Sequence, residues 1–94
     1  RLGEAEMRDW NASTIAANPA APHLAVGTRK GSVFFFDTRD GNTTWTNTAG
    51  STEVTAMDVS RDGTRVWAAY QDGTVRGIRT RDGQVTATIT LSDN

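Results

Sequence analysis

Short runs of alternating apolar and polar residues, each closed by a turn, make up most of this chain. Val54 to Val59 reads Val-Thr-Ala-Met-Asp-Val, a period of two that suits a strand with one covered face. Arg65 to Tyr70 (Arg-Val-Trp-Ala-Ala-Tyr) and Thr74 to Arg79 follow, then Gln84 to Leu91, rich in Val, Ile and Thr. β-branched residues favour the pleated surface of a sheet. The breaks are Ser60-Arg61-Asp62-Gly63, Gln71-Asp72-Gly73 and Arg81-Asp82-Gly83. Asp-Gly between β-rich runs signals a tight turn, because glycine takes a positive φ without a Cβ clash. The first half divides in the same way into Thr14 to Ala17, His23 to Thr28, Ser32 to Asp37 and Thr43 to Asn47. No stretch longer than about ten residues carries a 3.6-residue apolar period, so helix is not expected.

The two halves are copies. Ala12 to Gly41 aligns with Val54 to Gly83 without a gap, at an offset of 42 residues. Gly31-Ser32-Val33 falls on Gly73-Thr74-Val75, and Thr38-Arg39-Asp40-Gly41 falls on Thr80-Arg81-Asp82-Gly83. Four strands in a repeat of that length predict an all-β fold, two four-stranded antiparallel blades of a β-propeller. The blades are expected over residues 12–50 and 51–94. Residues 1–11 read as a linker and the outer strand of a preceding blade, since Gly3-Glu4-Ala5 echoes Gly83-Gln84-Val85. Continuous apolar runs such as Val33 to Phe36 suit strands covered on both faces. Two blades alone leave two such faces wet, and at least about three repeats are needed for stability. The expectation is therefore a larger ring, with further blades in the same chain or in an oligomer.

Val54 to Gly63, Val66 to Tyr70, Asp72-Gly73-Thr74-Val75 and Arg81-Asp82-Gly83 together resemble a WD40 repeat, and Phe36-Asp37 stands where that family has Trp-Asp. The resemblance covers roughly residues 12–91. Ile78-Arg79 replaces Trp-Asp in the second copy, and neither copy has the Gly-His pair before its first strand. The family's buried Asp-His-Ser/Thr-Trp network is therefore not expected. Packing of Phe34, Phe35, Phe36 and Trp67 is expected to take its place, with Trp67 read as core. A narrower resemblance lies in Leu24 to Asp37, Asp62-Gly-Thr-Arg65 and Ala69-Tyr70. These are similar to the N-terminal propeller of vacuolar-sorting subunits of endolysosomal tethering complexes. That resemblance implies a trafficking role and a cytoplasmic location, peripheral to endosomal membranes.

Composition removes several function classes. Net charge is −1, with ten basic and eleven acidic residues spread along the chain, so no basic stripe offers itself to phosphates and nucleic acid is not an expected partner. No apolar run approaches the roughly 20 residues of a membrane-crossing helix. Cysteine is absent, which leaves neither disulfides nor thiolate metal ligands. The start of the chain has neither a methionine nor an apolar signal core, and it reads as an excised segment.

Candidate chemistry is sparse. Asp37, Asp40, Asp58, Asp62, Asp72 and Asp82 mostly precede glycine in turns, where a carboxylate caps nearby backbone N–H groups. His23 is the single histidine and has no partner for metal binding or catalysis. Neither a nucleophile motif nor a phosphate-cradling loop is present. No catalytic residue, metal or cofactor is expected. Asp37-Thr-Arg-Asp-Gly41 with Trp45 is close to the tryptophan pattern of quinoprotein-like propellers, which implies docking of one blade on the next. The second copy has Ala87 in that place.

The WD40 resemblance implies a binding rim formed by the loops between second and third strands and the loops into each first strand. The residues it assigns to partner binding are Trp10, Arg29, Lys30, Gln71 and Asp72. The expected function is a non-enzymatic scaffold that presents this rim to protein partners. Two other classes stand beside it. One is a propeller enzyme of quinoprotein-like or hydrolase type with its catalytic residues on other blades. The other is a lectin-like subunit that closes a ring by oligomerising.

Overall fold

A computed structural model describes residues 12–91, and all of its regular structure is strand. The strands are β1 (Ala12–Ala17), β2 (His23–Thr28), β3 (Val33–Asp37), β4 (Thr43–Asn47), β5 (Val54–Val59), β6 (Arg65–Tyr70), β7 (Thr74–Arg79) and β8 (Val85–Thr90). They form two four-stranded antiparallel sheets in chain order, β1-β2-β3-β4 and β5-β6-β7-β8. The all-β fold of two four-stranded antiparallel blades holds, and every strand end falls within two residues of its expected place. The strand expected before Trp10 lies outside the described residues.

The register shows how the sheets meet. Across the first sheet, Ala16 pairs with Ala25, Ala25 with Phe35, and Phe35 with Trp45. This cross-strand row faces the second sheet, which answers with Val54, Val59, Val66, Ala68, Tyr70 and Ile78. Phe35 is completely buried, and its ring stacks on Trp45 with centroids 4.9 Å apart. Each fully buried residue of this size contributes about 1.5–3 kcal/mol by leaving water. The two sheets approach most closely along β1 and β5.

Strict alternation divides the aromatic residues differently from the expectation. Phe34 and Phe36 point away from Phe35 and stack on each other at 6.2 Å on the opposite face. Trp67, expected in the core, is half-buried and pairs with exposed Asp58 on the face of the second sheet turned away from the first. Its neighbours Val66 and Ala68 take the inward positions. Of the four side chains expected to replace the missing network, Phe35 and Phe36 are fully buried, Phe35 in the space between the sheets and Phe36 on the opposite face, while Phe34 and Trp67 are half-buried.

Side chains close that space at several points. A Cβ placed on Gly27 would lie 2.6 Å from Val54 Cγ1, so glycine sets how near β2 and β5 can come. The Ser13 hydroxyl donates to the Val54 carbonyl at 2.6 Å, and Asn18 Nδ2 donates to the Gly63 carbonyl at 3.2 Å. At the outer strand, Trp45 Nε1 donates to the Thr80 carbonyl and Asn47 Nδ2 to the Gly83 carbonyl, both at 2.8 Å. Asn18 and Asn47 are buried, and these bonds supply the partners that buried amides need.

Candidate partner-binding rim

The β2–β3 turn, the β6–β7 turn and the segment leading into β5 come together along one edge of the pair of sheets. Both turns are short because Gly31 and Gly73 take φ of +92° and +90°, which favours glycine. The Gln71 N–H donates to the Glu53 carbonyl at 2.8 Å, and the Asp72 N–H reaches Thr52 Oγ1 at 3.3 Å. A Cβ on Gly31 would come 2.7 Å from the Gly50 and Thr52 carbonyl oxygens. The strand-two turn of one blade thus leans on the loop that opens the next.

Arg29, Lys30, Gln71 and Asp72 are all exposed on this edge. The backbone beneath the two cations is fastened by Thr28 Oγ1, which accepts from the Lys30 and Ser32 N–H groups at 3.3 and 3.0 Å. Their side chains therefore project from a fixed turn. Arg29 Nη1 stands 3.9 Å from Glu53 Oε2, with 63% of the Arg29 side chain open to solvent. A pair so long and so exposed holds the arginine only weakly. Asp72 Oδ1 accepts the Thr74 N–H at 3.0 Å, and hydrogen bonds from Thr74 hold its carboxyl below the usual range. Asp72 stays charged while shaping its own turn. Trp10, also assigned to this rim, lies outside the described residues.

Thr52, in the loop Asn47 to Thr52 that the sequence places on this rim, and Glu53, which the sequence did not single out, belong to the same edge. The signal for Glu53 was position alone, next to that loop. Beneath the rim Tyr70 is buried against Gly50, and the Arg76 guanidinium lies 4.7 Å over its ring. The Tyr70 hydroxyl and Arg76 Nη1 are both buried, with no hydrogen bond of good geometry to the protein. Burial pushes the Tyr70 hydroxyl pKa up.

The opposite edge carries the Arg-Asp-Gly turns, where two arginines are paired with carboxylates and Arg61 and Arg81 are exposed. Arg39 pairs with Asp37 and Arg79 with Asp82, each with a 2.6 Å contact. The Arg79 guanidinium, then the Gln84 N–H, hold Asp82 down at about 2, and Arg39 holds Asp37 well below the carboxylate range. Hydrogen bonds from Ser60 and Thr64 lower Asp62. Carboxylates depressed in the folded state contribute stability above their unfolded pKa and lose it as pH falls through the folded value. Stability is thus expected to hold from neutrality to about pH 4, the ordinary carboxylate value. It then declines as pH approaches 2, where Asp82 protonates. Thermal melts at stepped pH in low salt read this directly, and Asp82→Asn should flatten the acid limb.

Other candidate chemistry is not gathered into a site. Among the described residues, no group of three or more His, Asp or Glu is placed to hold a metal. His23 lies at the far end of β2 from the rim, its ring 4.8 Å from Phe35. No helix among the described residues is long and apolar enough to cross a membrane. The Asp-x-x-Asp-Gly-x-x-x-Trp stretch does what its resemblance implied, because Trp45 docks the first sheet on the turn between β7 and β8.

The family model described as the Vps8 beta-propeller matches residues 5–93. Among solved structures, the β-propeller domain of Cps50 (Swd1) from Myceliophteria thermophila superposes with a TM-score of 0.82. Identity there is 21%, over 86% of this chain and 25% of that one. BamB from Moraxella catarrhalis gives 0.75 at 21% identity, over 84% of this chain and 23% of that one. A chain of the mitotic checkpoint complex gives 0.75 at 22%, over 84% and 24%. At such identities these likenesses establish the fold, and the two sheets are propeller blades. The chain spans about a quarter of the length of each of these structures. No curated protein matches.

Proposed function

This chain belongs to the Vps8 β-propeller family, and on that footing we propose that it forms two blades of a larger ring acting as a non-enzymatic scaffold. The ring presents loops to protein partners in a membrane-trafficking assembly, in the cytoplasm at the surface of endosomal membranes. The observation that carries this reading is the family match across residues 5–93. The rim supports it: Arg29 and Lys30 stand on a rigid turn, exposed and only loosely engaged. Acidic or polar surface on a partner is the complement they suit. Charged rim groups act mainly on association rate and specificity.

Arg29, Lys30, Gln71 and Asp72 sit on one edge, so they can be tested together. In the full-length protein, Arg29→Ala with Lys30→Ala is expected to weaken capture of co-purifying proteins. Gln71→Ala, Trp10→Ala and Asp72→Asn, which keeps the Oδ1 acceptor for the Thr74 N–H, are expected to act in the same direction, while melting temperature stays unchanged. Full capture by the folded quintuple variant would reject the rim as the contact surface.

A further inference from the structure

We infer that Trp67 is the contact through which the second sheet receives a third four-stranded sheet, replacing at the second strand what Trp45 supplies at the fourth. The inference rests on the reading of this chain as part of a larger ring. Its basis is a position-by-position comparison of two equivalent faces. On the first sheet, the row Ala16, Ala25, Phe35 and Trp45 is the face that the second sheet covers. The offset of 42 residues carries this row onto Asp58, Trp67, Gly77 and Ala87. The register of the second sheet confirms the equivalence, with Asp58 paired to Trp67, Trp67 to Gly77 and Gly77 to Ala87.

Read from inner to outer strand, the first row runs small, small, large, large. The second runs from Asp58 through a large residue to two small ones. The aromatic bulk has not been lost; it has moved one or two strands inward. Gly77 makes the room: a Cβ there would lie 2.8 Å from Trp67 Cζ3, so the indole lies across β7 only because residue 77 has no side chain. Arg65 steadies the ring on the same face, its guanidinium 5.6 Å from the ring centroid and its Cδ bordering the same space at Gly77. Beside it lies a shallow apolar depression lined by Ala56, Met57, Asp58, Trp67, Ala69 and Val75. Ile89, 48% exposed, extends the apolar surface onto β8.

Several features make the occupant a sheet of the same kind. The face spans all four strands and continues the repeat by which the first interface is built. Asp58 stands on β5, the strand along which the sheets converge. The paired Arg65 and Arg79 stand at one end of the face, Arg65 with its guanidinium over the Trp67 ring and Arg79 bonded to Asp82. At the outer strand Ala87 offers neither a stacking ring nor an N–H for a clasp like that of Trp45. The third sheet must therefore be held by Trp67 and the depression beside it, not at the periphery.

Hydroxyl-radical footprinting of the natural full-length protein tests this, read residue by residue at several protein concentrations. Trp67 is expected to be protected to the level of buried Phe35 at every concentration. Free modification of Trp67 would overturn the inference. So would protection that appears only as concentration rises, which would mean a second copy, or only when a partner protein is added. None of these results bears on capture by Arg29 and Lys30, so failure here is distinguishable from failure of the scaffold reading.

Discussion

Phe35→Ala is expected to lower unfolding free energy by roughly 3–5 kcal/mol, the range for emptying a buried aromatic site. The residue is completely buried, lies at the middle of the row that joins the sheets, and stacks on Trp45. Truncation leaves a void bordered by two sheets whose spacing is set by backbone contact at Gly27, so collapse around it is restricted. Against a typical domain stability of about 5–15 kcal/mol this is a large share. Phe34→Ala should cost less, since that side chain is only half-buried and lies on the opposite face. Urea denaturation of the two variants compares them. Equal losses would mean that the interface lies elsewhere.

The other large effect is at Gly83. Its φ of +77° is costly for any residue with a Cβ, by about 1–2 kcal/mol. An added Cβ would also lie 2.6 Å from Trp45 Cδ2, inside the indole that rests on this turn. Gly83→Ala is therefore expected to cost about 2–4 kcal/mol, backbone strain and displaced packing together. In a Trp45→Ala background only the backbone part should remain. The double-mutant cycle should show a coupling of about 1–2 kcal/mol, a size found for residues in direct contact. Simple additivity would show that Trp45 and Gly83 do not touch.

These expectations indicate what could be read from residues alone. The turns were legible because Asp-Gly and Lys-Gly pairs state their backbone requirement locally, and the 42-residue offset then located the blades. Alternation assigns Phe35 and Trp67 to faces of their own sheets, yet it does not say which face meets a neighbour. That choice is settled by contacts far apart in sequence, such as Asn18 with Gly63 and Asn47 with Gly83. Both asparagines look like ordinary turn residues in the sequence, and their burial is visible only once the sheets are stacked. The rim divides in the same way. The repeat placed Arg29, Lys30, Gln71 and Asp72 together, whereas Glu53 joins them through its backbone bond to Gln71.

Everything depends on the two sheets lying face to face with Trp45 seated on the turn between β7 and β8. Nuclear Overhauser contacts of the Trp45 indole in isotopically labelled protein measure this most directly. Cross-peaks from the indole ring to the Gly83 Hα protons, alongside those to Phe35 of its own sheet, are the predicted result. An indole that sees Phe35 but nothing in residues 80–83 would contradict the account.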